Sequence, residues 1–432
     1  MDTIDEPSRE IPVVRDVDVL VAGGGPAGFV AATAAARLGA NVVLVERYGC
    51  LGGLATGGLV LYMDAIADKA ETRVIGGLAW EVLERLRGMD GLAVDAPLRL
   101  HVDSELLQVV ADALCLEAGV ELRLHSWAVN AICEERQVTG VVVESKSGRQ
   151  AIRARVSVDA TGDGDIAALA GASYDMGCMR IGLNLKVAAV DRARFQAYEK
   201  ENPEEVRDNR AQVRALGGFP LVPSSTPHSD VGIYWIGTLG LANRDHDGQD
   251  AGTSTSIHDI FAGDLSAIDV EDLTYAQVEL RRRIATSIDF HRRNVPGFED
   301  VRLVALASQL GVRESRRIKG LRRLTKEDVL GDRSFGETIG MVGISSGEVG
   351  RYQVPYGCLV PRDVDGLLVA GRCISVDHWT HQTVRLIPPA MMTGQAAGTA
   401  AAMAAKSGIS PRELDPSALR KQLAADGVIL PP

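Results

Sequence analysis

One stretch constrains the fold more than any other: Asp18-Val19-Leu20-Val21-Ala22-Gly23-Gly24-Gly25-Pro26-Ala27-Gly28, followed by Phe29 to Gly39 and then Asn41-Val42-Val43-Leu44-Val45-Glu46. Val17 to Ala22 is a short apolar run of the kind that a parallel strand buried on both faces requires, and Ala31 to Leu38 is rich in strong helix formers. The pattern is strand, glycine turn, helix, strand. Gly23 lets the chain reverse, Gly25 lets the backbone approach a pyrophosphate, and Gly28 lets the helix pack closely on its strand. Pro26 is tolerated in the helix's first turn, where its missing N–H is no loss. Glu46 closes the second strand roughly 20 residues after the glycines, where the dinucleotide fingerprint puts a carboxylate that accepts from ribose hydroxyls. A bare glycine cluster marks any turn, whereas this context on both sides reads as a dinucleotide site.

A chain of 432 residues, 46% hydrophobic, can bury a large core and ordinarily divides into two or three domains. Its start, Met1-Asp2-Thr3-Ile4-Asp5-Glu6, is acidic and unlike a signal peptide, and the apolar run around Met391 to Ala405 is broken by Gly394, Gln395 and Gly398. These features predict a cytoplasmic protein without a membrane partner. A net charge of -11 weighs against a nucleic-acid partner. The six cysteines form no CxxC pair, so neither a metal site nor a disulfide framework is expected.

Further along, Arg47 to Gly58 has too many glycines for a helix or a central strand and reads as a backbone-rich loop beside the dinucleotide. Cys50 within it is expected to be idle, with no partner thiol to make it redox-active. Helices are predicted over Ile75 to Met89 and Asp103 to Ala118, the second capped by Asp103 or Ser104 and closed by Gly119. A strand at Val120 to Leu124 precedes an antiparallel meander over about 128–157. The meander feeds the strand Val156-Ser157-Val158-Asp159, which ends in a second glycine turn, Ala160-Thr161-Gly162-Asp163-Gly164-Asp165, before a short helix at Ile166 to Ala170.

From Leu183 to about Ser345 the character changes, with strands at Leu183 to Val190 and Gly232 to Leu239. A long helix is predicted from Thr274 to Arg293, opened by the capping box Thr274-Tyr275-Ala276-Gln277. The basic cluster Arg316 to Arg323 reads as a solvated face rather than a ligand site. Gly366 to Arg372 is a buried strand running into a third glycine turn, and Pro388 to Lys406 is a small-residue helix. The fold class is therefore α/β: a Rossmann-like dinucleotide-binding domain in three layers (β/β/α), made of residues 1–182 and 346–432, with an inserted α+β substrate or cap domain over 183–345.

Three motifs carry a family resemblance: the first glycine turn with Glu46; Asp159 to Asp165; and Gly371-Arg372-Cys373-Ile374-Ser375 followed by Thr393-Gly394-Gln395-Ala396-Ala397-Gly398. In order and spacing they resemble FAD-dependent oxidoreductases of the large group related to fumarate reductase and glutathione reductase. More narrowly, Leu51-Gly52-Gly53-Leu54-Ala55-Thr56, Gly311 to Ile318 and Val354 to Pro361 look like the bacterial FAD-dependent oxidoreductase family. The resemblance spans nearly the whole chain and implies FAD as cofactor. It puts Gly23, Gly25, Pro26, Ala27 and Gly28 on the pyrophosphate, Glu46 on the adenosine ribose, Arg47 near the adenine end and Val129 on adenine through its backbone. It further puts Gly52, Gly53 and Thr56 near the ring system, Thr161 and Gly162 under the adenosine half, and Gly371 and Arg372 across the pyrophosphate. Thr393, Gly394, Gln395 and Ala396 would present a helix end to the isoalloxazine. Cys50 and Trp379-Thr380-His381 depart from the family pattern on the substrate side of the ring.

Such a family implies an oxidoreductase that takes a hydride from a small organic substrate (C–OH, C–NH or CH–CH). Only one dinucleotide fingerprint is visible, which favours a dehydrogenase or oxidase, with the electron acceptor open, over a reductase carrying its own nicotinamide domain. A reductase fed by a separate donor stays open. So do a flavoprotein relative with a non-redox, thiazole-forming or RNA-modifying role, an NAD enzyme without flavin, and self-association. Removing a hydride from a carbon bearing OH or NH needs a base, and His378 and His381 are the candidates, with Arg385 placed to hold an anionic group or an oxyanion. The same histidines also read as structural residues or, without a third ligand in view, as a metal pair.

Overall fold

The computed structural model describes residues 2–4, 7–96, 99–237, 239–241, 264–344 and 349–431, and it puts the opening motif at the centre of a parallel sheet. The strand order is Glu121–Arg123, Val42–Val45, Val13–Ala22, Gly148–Asp159 and Leu367–Val369, each pair parallel. Val19 pairs with Val42 on one side, and Ala22 with Asp159 on the other, so both glycine turns leave the same edge of the sheet. Val19, Leu20, Val21, Val43 and Leu44 are fully buried, as strands covered on both faces require. The predicted α/β class is found.

The helices Pro26–Arg37 and Ile387–Ser407 pack against each other and against the central strands. Their approach is set by missing side chains: a Cβ at Gly394 would lie 2.2 Å from the Ala27 carbonyl oxygen, and one at Gly398 would lie 2.0 Å from that of Ala31. Ser104–Ala118 joins the same layer, with the Asp103 carboxylate accepting from the Glu105 and Leu106 N–H groups and Gly119 closing it in a left-handed conformation, as expected.

Strand Gly148–Asp159 belongs to two arrangements at once. Its first half pairs antiparallel with Gln137–Ser145, which pairs in turn with Trp127–Glu134 to form the meander, while its last residues pair with Leu367–Val369.

The described residues form two apolar clusters. The second cluster runs from Ile181 to Val312 and also takes in Leu59 and Leu61 from the glycine-rich loop. Ile318, Leu324, Val329, Ile339 and Val342, expected in the cap, are buried in the first cluster instead. The reason is pairing: Thr338–Gly343 forms a hairpin with Arg351–Pro355 and packs on the helix Ile387–Ser407. The predicted boundary at 346 lies outside the described residues, as does part of the strand predicted over Gly232 to Leu239, of which Ile233–Ile236 is found.

The long cap helix spans Val270–Asn294, one turn longer than predicted at its start. Asp269 is the cap, accepting from the Glu271 and Asp272 N–H groups, while the Thr274 hydroxyl donates back to the Val270 carbonyl inside the helix. Near its end His291 is buried, with Nδ1 2.7 Å from the Ser287 carbonyl and Nε2 accepting from the Leu221 N–H at 3.0 Å. Burial pushes its pKa down to about 4. A depressed histidine stabilises the fold above its unfolded value near 6.5 and loses that contribution as pH falls toward 4. Melts across that window are expected to lose about 3 kcal/mol from this residue, and His291→Gln, which cannot take up the proton, should flatten the decline. A decline between pH 7 and pH 4 as steep in His291→Gln as in wild type would refute this.

Candidate active site

The three glycine turns and the cap helix enclose a cavity of about 550 Å³. Its floor is made by Gly23, Gly25, Pro26 and Ala27 at the start of the first helix, facing Thr161, Gly162 and Asp163 from the second turn and Gly371 and Arg372 from the third. Gly53 packs on Gly25, where a Cβ would come within 2.9 Å of the Gly25 Cα. Glu46 and Arg47 stand at one end, and Arg385, Ile387 and Ala390 also line the wall. The roof is one face of the cap helix: Thr274, Gln277, Val278 and Arg281 are spaced i, i+3, i+4, i+7. Gln309 and Leu310 complete it.

The turns are held by side chains chosen for the purpose. Glu46 is buried, its Oε2 accepting from the Gly24 N–H at 2.6 Å and its Oε1 from Tyr48 at 2.8 Å, and burial raises its pKa. Each oxygen keeps a further lone pair for a ribose hydroxyl. Asp159, whose pKa burial pushes up to about 6, accepts from the Thr161 N–H and hydroxyl and from the Ala167 N–H, and so shapes the second turn from within. Asp163 is gripped by Arg372 at 2.9 Å and accepts from the Ser315 hydroxyl at 2.6 Å. The missing side chain of Gly162 makes room for that guanidinium, since a Cβ would lie 2.7 Å from its Nη2.

The basic cluster predicted as a solvated face is an ion-pair network. Arg316 meets Asp165, Arg317 meets Glu314, Lys319 and Arg323 share Asp175, and Arg322 meets Glu337. Its strand, Arg316–Ile318, clamps the second glycine turn from above.

Not every predicted cofactor contact faces the cavity. Gly28 serves packing, because a Cβ there would strike the Gly23 carbonyl at 1.8 Å, and Gly52 packs on the buried Thr56, whose hydroxyl donates to Leu51. Trp127 and Ala128, rather than Val129, line a small side chamber next to Glu46 and Arg47. Thr393 donates to Ala390 and accepts from the Gly371 N–H, Gly394 packs on Ala27, Gln395 accepts from the Leu78 N–H at 2.8 Å, and Ala396 is fully buried. These four lie in the second and third turns of a helix that begins at Ile387, so the helix end in the cavity is Ile387 to Ala390. Pro388 and Pro389 stand in its first turn and offer no N–H.

The histidines stand apart from the cavity wall. His381 is fully buried, its Nε2 donating to the Arg372 carbonyl at 2.8 Å, and burial, with Arg385 nearby, holds it neutral and far below the usual histidine range. His378 is half exposed, with Nδ1 2.8 Å from the buried Glu314. His381 supports the third glycine turn through its bond to the Arg372 carbonyl, and neither histidine lines the cavity. Arg385 does, and burial followed by the neighbouring Arg372 brings its pKa down to about 10. Cys50, partly buried in the loop, has its thiol pushed up by burial. Among the described residues no group of three or more His, Cys, Asp or Glu can hold a metal ion, and no helix is long and apolar enough to cross a membrane.

Gly25 decides whether these residues fit a dinucleotide: its absent side chain opens on nothing within 4 Å, leaving a backbone cradle in the cavity floor beside a fixed carboxylate. The family model described as "FAD dependent oxidoreductase" matches residues 18–423. The chain belongs to this FAD-dependent oxidoreductase family. Its cofactor is FAD.

Part of the chain is similar to curated proteins. Digeranylgeranylglycerophospholipid reductase 1 of Methanopyrus kandleri is 31% identical over 157 residues, 34% of this chain and 40% of that protein. A thiamine thiazole synthase of Methanococcus vannielii is 26% identical over 34% of this chain and 56% of its own length. The matches thus span about half of those relatives or less. Among solved structures, a geranylgeranyl bacteriochlorophyll reductase-like protein from Thermoplasma acidophilum has a TM-score of 0.49 at 15% identity, covering 95% of this chain and 83% of that one. The p-nitrophenol 4-monooxygenase of Pseudomonas putida gives 0.49 at 13%, covering 96% and 87%.

In an FAD enzyme with this geometry, Glu46→Ala is expected to weaken FAD binding by roughly 1.5–3 kcal/mol for each charge-assisted hydrogen bond it removes. Titrating apo-protein with FAD measures this, and an unchanged affinity would take the ribose away from Glu46.

Proposed function

We propose that the protein moves a hydride between FAD and a small organic substrate, a C–OH, C–NH or CH–CH donor, held under the cap helix. The observation that carries this reading is the composition of the cavity, whose floor is the dinucleotide cradle and whose roof is a single face of a helix from the other apolar cluster. Bound FAD supplies a two-electron acceptor. The protein's own residues do the rest. Gly25 and Gly371 admit the pyrophosphate, Glu46 holds the ribose, and the Asp163–Arg372 pair ties the second turn to the third. The face Thr274, Gln277, Val278 and Arg281 shields the reacting carbon from water. Arg385 meets negative charge at the wall.

One fingerprint and no second one favours a dehydrogenase or oxidase over an enzyme that also houses a nicotinamide. Anaerobic mixing with alcohols, amines, sugars and saturated acids tests the direction, and bleaching by one class is the expected result. If none bleaches it, while the photoreduced protein passes its electrons to an enoic acid, the direction reverses to a reductase fed from outside. Inertness in both tests would end the hydride-transfer proposal.

A further inference from the structure

Among the described residues, buried side-chain nitrogens and oxygens without a hydrogen-bond partner include two on residues that line the cavity: Nε2 of Gln277 and Nε of Arg385. Both are donors. They come from different parts of the molecule, Gln277 from the cap helix and Arg385 from the turn before the helix Ile387–Ser407. An N–H sealed from water without an acceptor is costly, so two of them in one cavity mark a place built for an acceptor that the chain does not itself provide.

The acids nearby are already engaged. Asp163 is taken by Arg372, Glu46 by the N–H groups of Gly24 and Tyr48, and Glu314 is shared between Arg317 and His378 while its charge also reaches Arg385. The helix that starts beside Arg385 offers few N–H groups, because Pro388 and Pro389 occupy its first turn. Positive charge at this wall therefore comes from the arginine. Behind it lies Arg313, which burial, Arg385 and Arg180 bring down to about 9. Glu314 offsets part of this charge, but Arg385, Arg313 and Arg180 crowd one place, and a neutral acceptor would satisfy the donors and leave the excess positive charge there. A carboxylate satisfies both, and its two oxygens suit one charged and one neutral donor.

We propose that the substrate carries a carboxylate, received by Arg385 from the wall and by Gln277 from the cap. This deepens the hydride-transfer reading and rests on it for the word substrate, but the site can be tested by binding alone. An oxygen of FAD is the other source of the same acceptor chemistry, and the experiment separates the two.

Calorimetric titration of the FAD-loaded protein would compare two- to eight-carbon mono- and dicarboxylic acids with their primary amides. At least one acid should bind about ten-fold or more tightly than its amide. Arg385→Leu should erase that preference, a loss of roughly ten- to a hundred-fold for the acid, while Arg385→Lys keeps part of it and guards against a folding defect in the leucine variant. Gln277→Ala should weaken the acid by roughly three- to ten-fold, and all three variants should retain FAD. Equal binding of acid and amide, or no binding by any acid, overturns the proposal. Loss of FAD from a folded Arg385→Leu also overturns it, by assigning the donor to the cofactor. An acid that binds through Arg385 yet never exchanges electrons with the flavin would sink the hydride reading and leave the carboxylate site standing, whereas reduction by uncharged donors alone would do the reverse.

Discussion

Gly25→Val is expected to give a folded protein with no yellow colour. The residue precedes the first helix at φ -64° and ψ -175°, an extended conformation open to any residue, and a Cβ there meets nothing within 4 Å. The fold therefore loses only the cap preference of glycine over valine, on the order of 1 kcal/mol. The space that the valine enters is the cradle in the cavity floor, so the branched side chain and the pyrophosphate exclude each other. The absorption spectrum of the purified variant, and its melting point beside that of wild-type apo-protein, give the two readouts. A yellow variant would remove the pyrophosphate from this turn, and an unfolded one would show that Gly25 serves packing.

Gly398→Val is expected to do the opposite, damaging the fold before the cofactor site. Its Cβ would stand 2.0 Å from a carbonyl oxygen of the neighbouring helix, and backbone cannot step aside as a flexible side chain can. The helices Pro26–Arg37 and Ile387–Ser407 must separate, and with them the core around Ala31, Ala397 and Ala401, all fully buried. Overpacking of this kind costs about 3 kcal/mol or more, enough to leave much of the protein insoluble. A melting point within about 2 °C of wild type would contradict the helix contact.

These two glycines show how much of the molecule was legible from residues alone. Local signals were read well. The first turn, the Asp103 cap, the left-handed Gly119 and the three meander strands depend on neighbours in sequence, and the structure has them. Direction within a helix was read less well. The resemblance puts Gly394, Gln395 and Ala396 at a helix end facing the isoalloxazine, yet Gln395 accepts from Leu78 and Gly394 packs on Ala27, because the helix begins six residues before Thr393. The sequence starts this helix at Pro388, one residue from its observed start at Ile387, which already leaves Thr393 beyond the first turn. The roof residues Arg281 and Gln309 carry no motif, and Gln277 reads in sequence only as part of a capping box, whereas the helix is capped by Asp269. Their role comes from how the cap lies over the turns, which no local pattern records. Charge was misread for a related reason: Arg316 to Arg323 look solvated until Asp165, Asp175, Glu314 and Glu337 arrive from other segments.

The strand Gly148–Asp159 has an implication for the order in which the molecule is made. Its end, from Ser157 to Asp159, is an open edge until Leu367–Val369 arrives, and those residues leave the ribosome some two hundred positions later. A nascent chain therefore carries a strand end open on one side through the whole synthesis of the cap, and an open edge of that kind is a template for wrong pairing. Fragments that stop after the cap should aggregate even though both glycine turns up to Asp165 are present. Co-expressing the missing C-terminal segment, from about Val349 onward, should rescue them by closing the edge in trans.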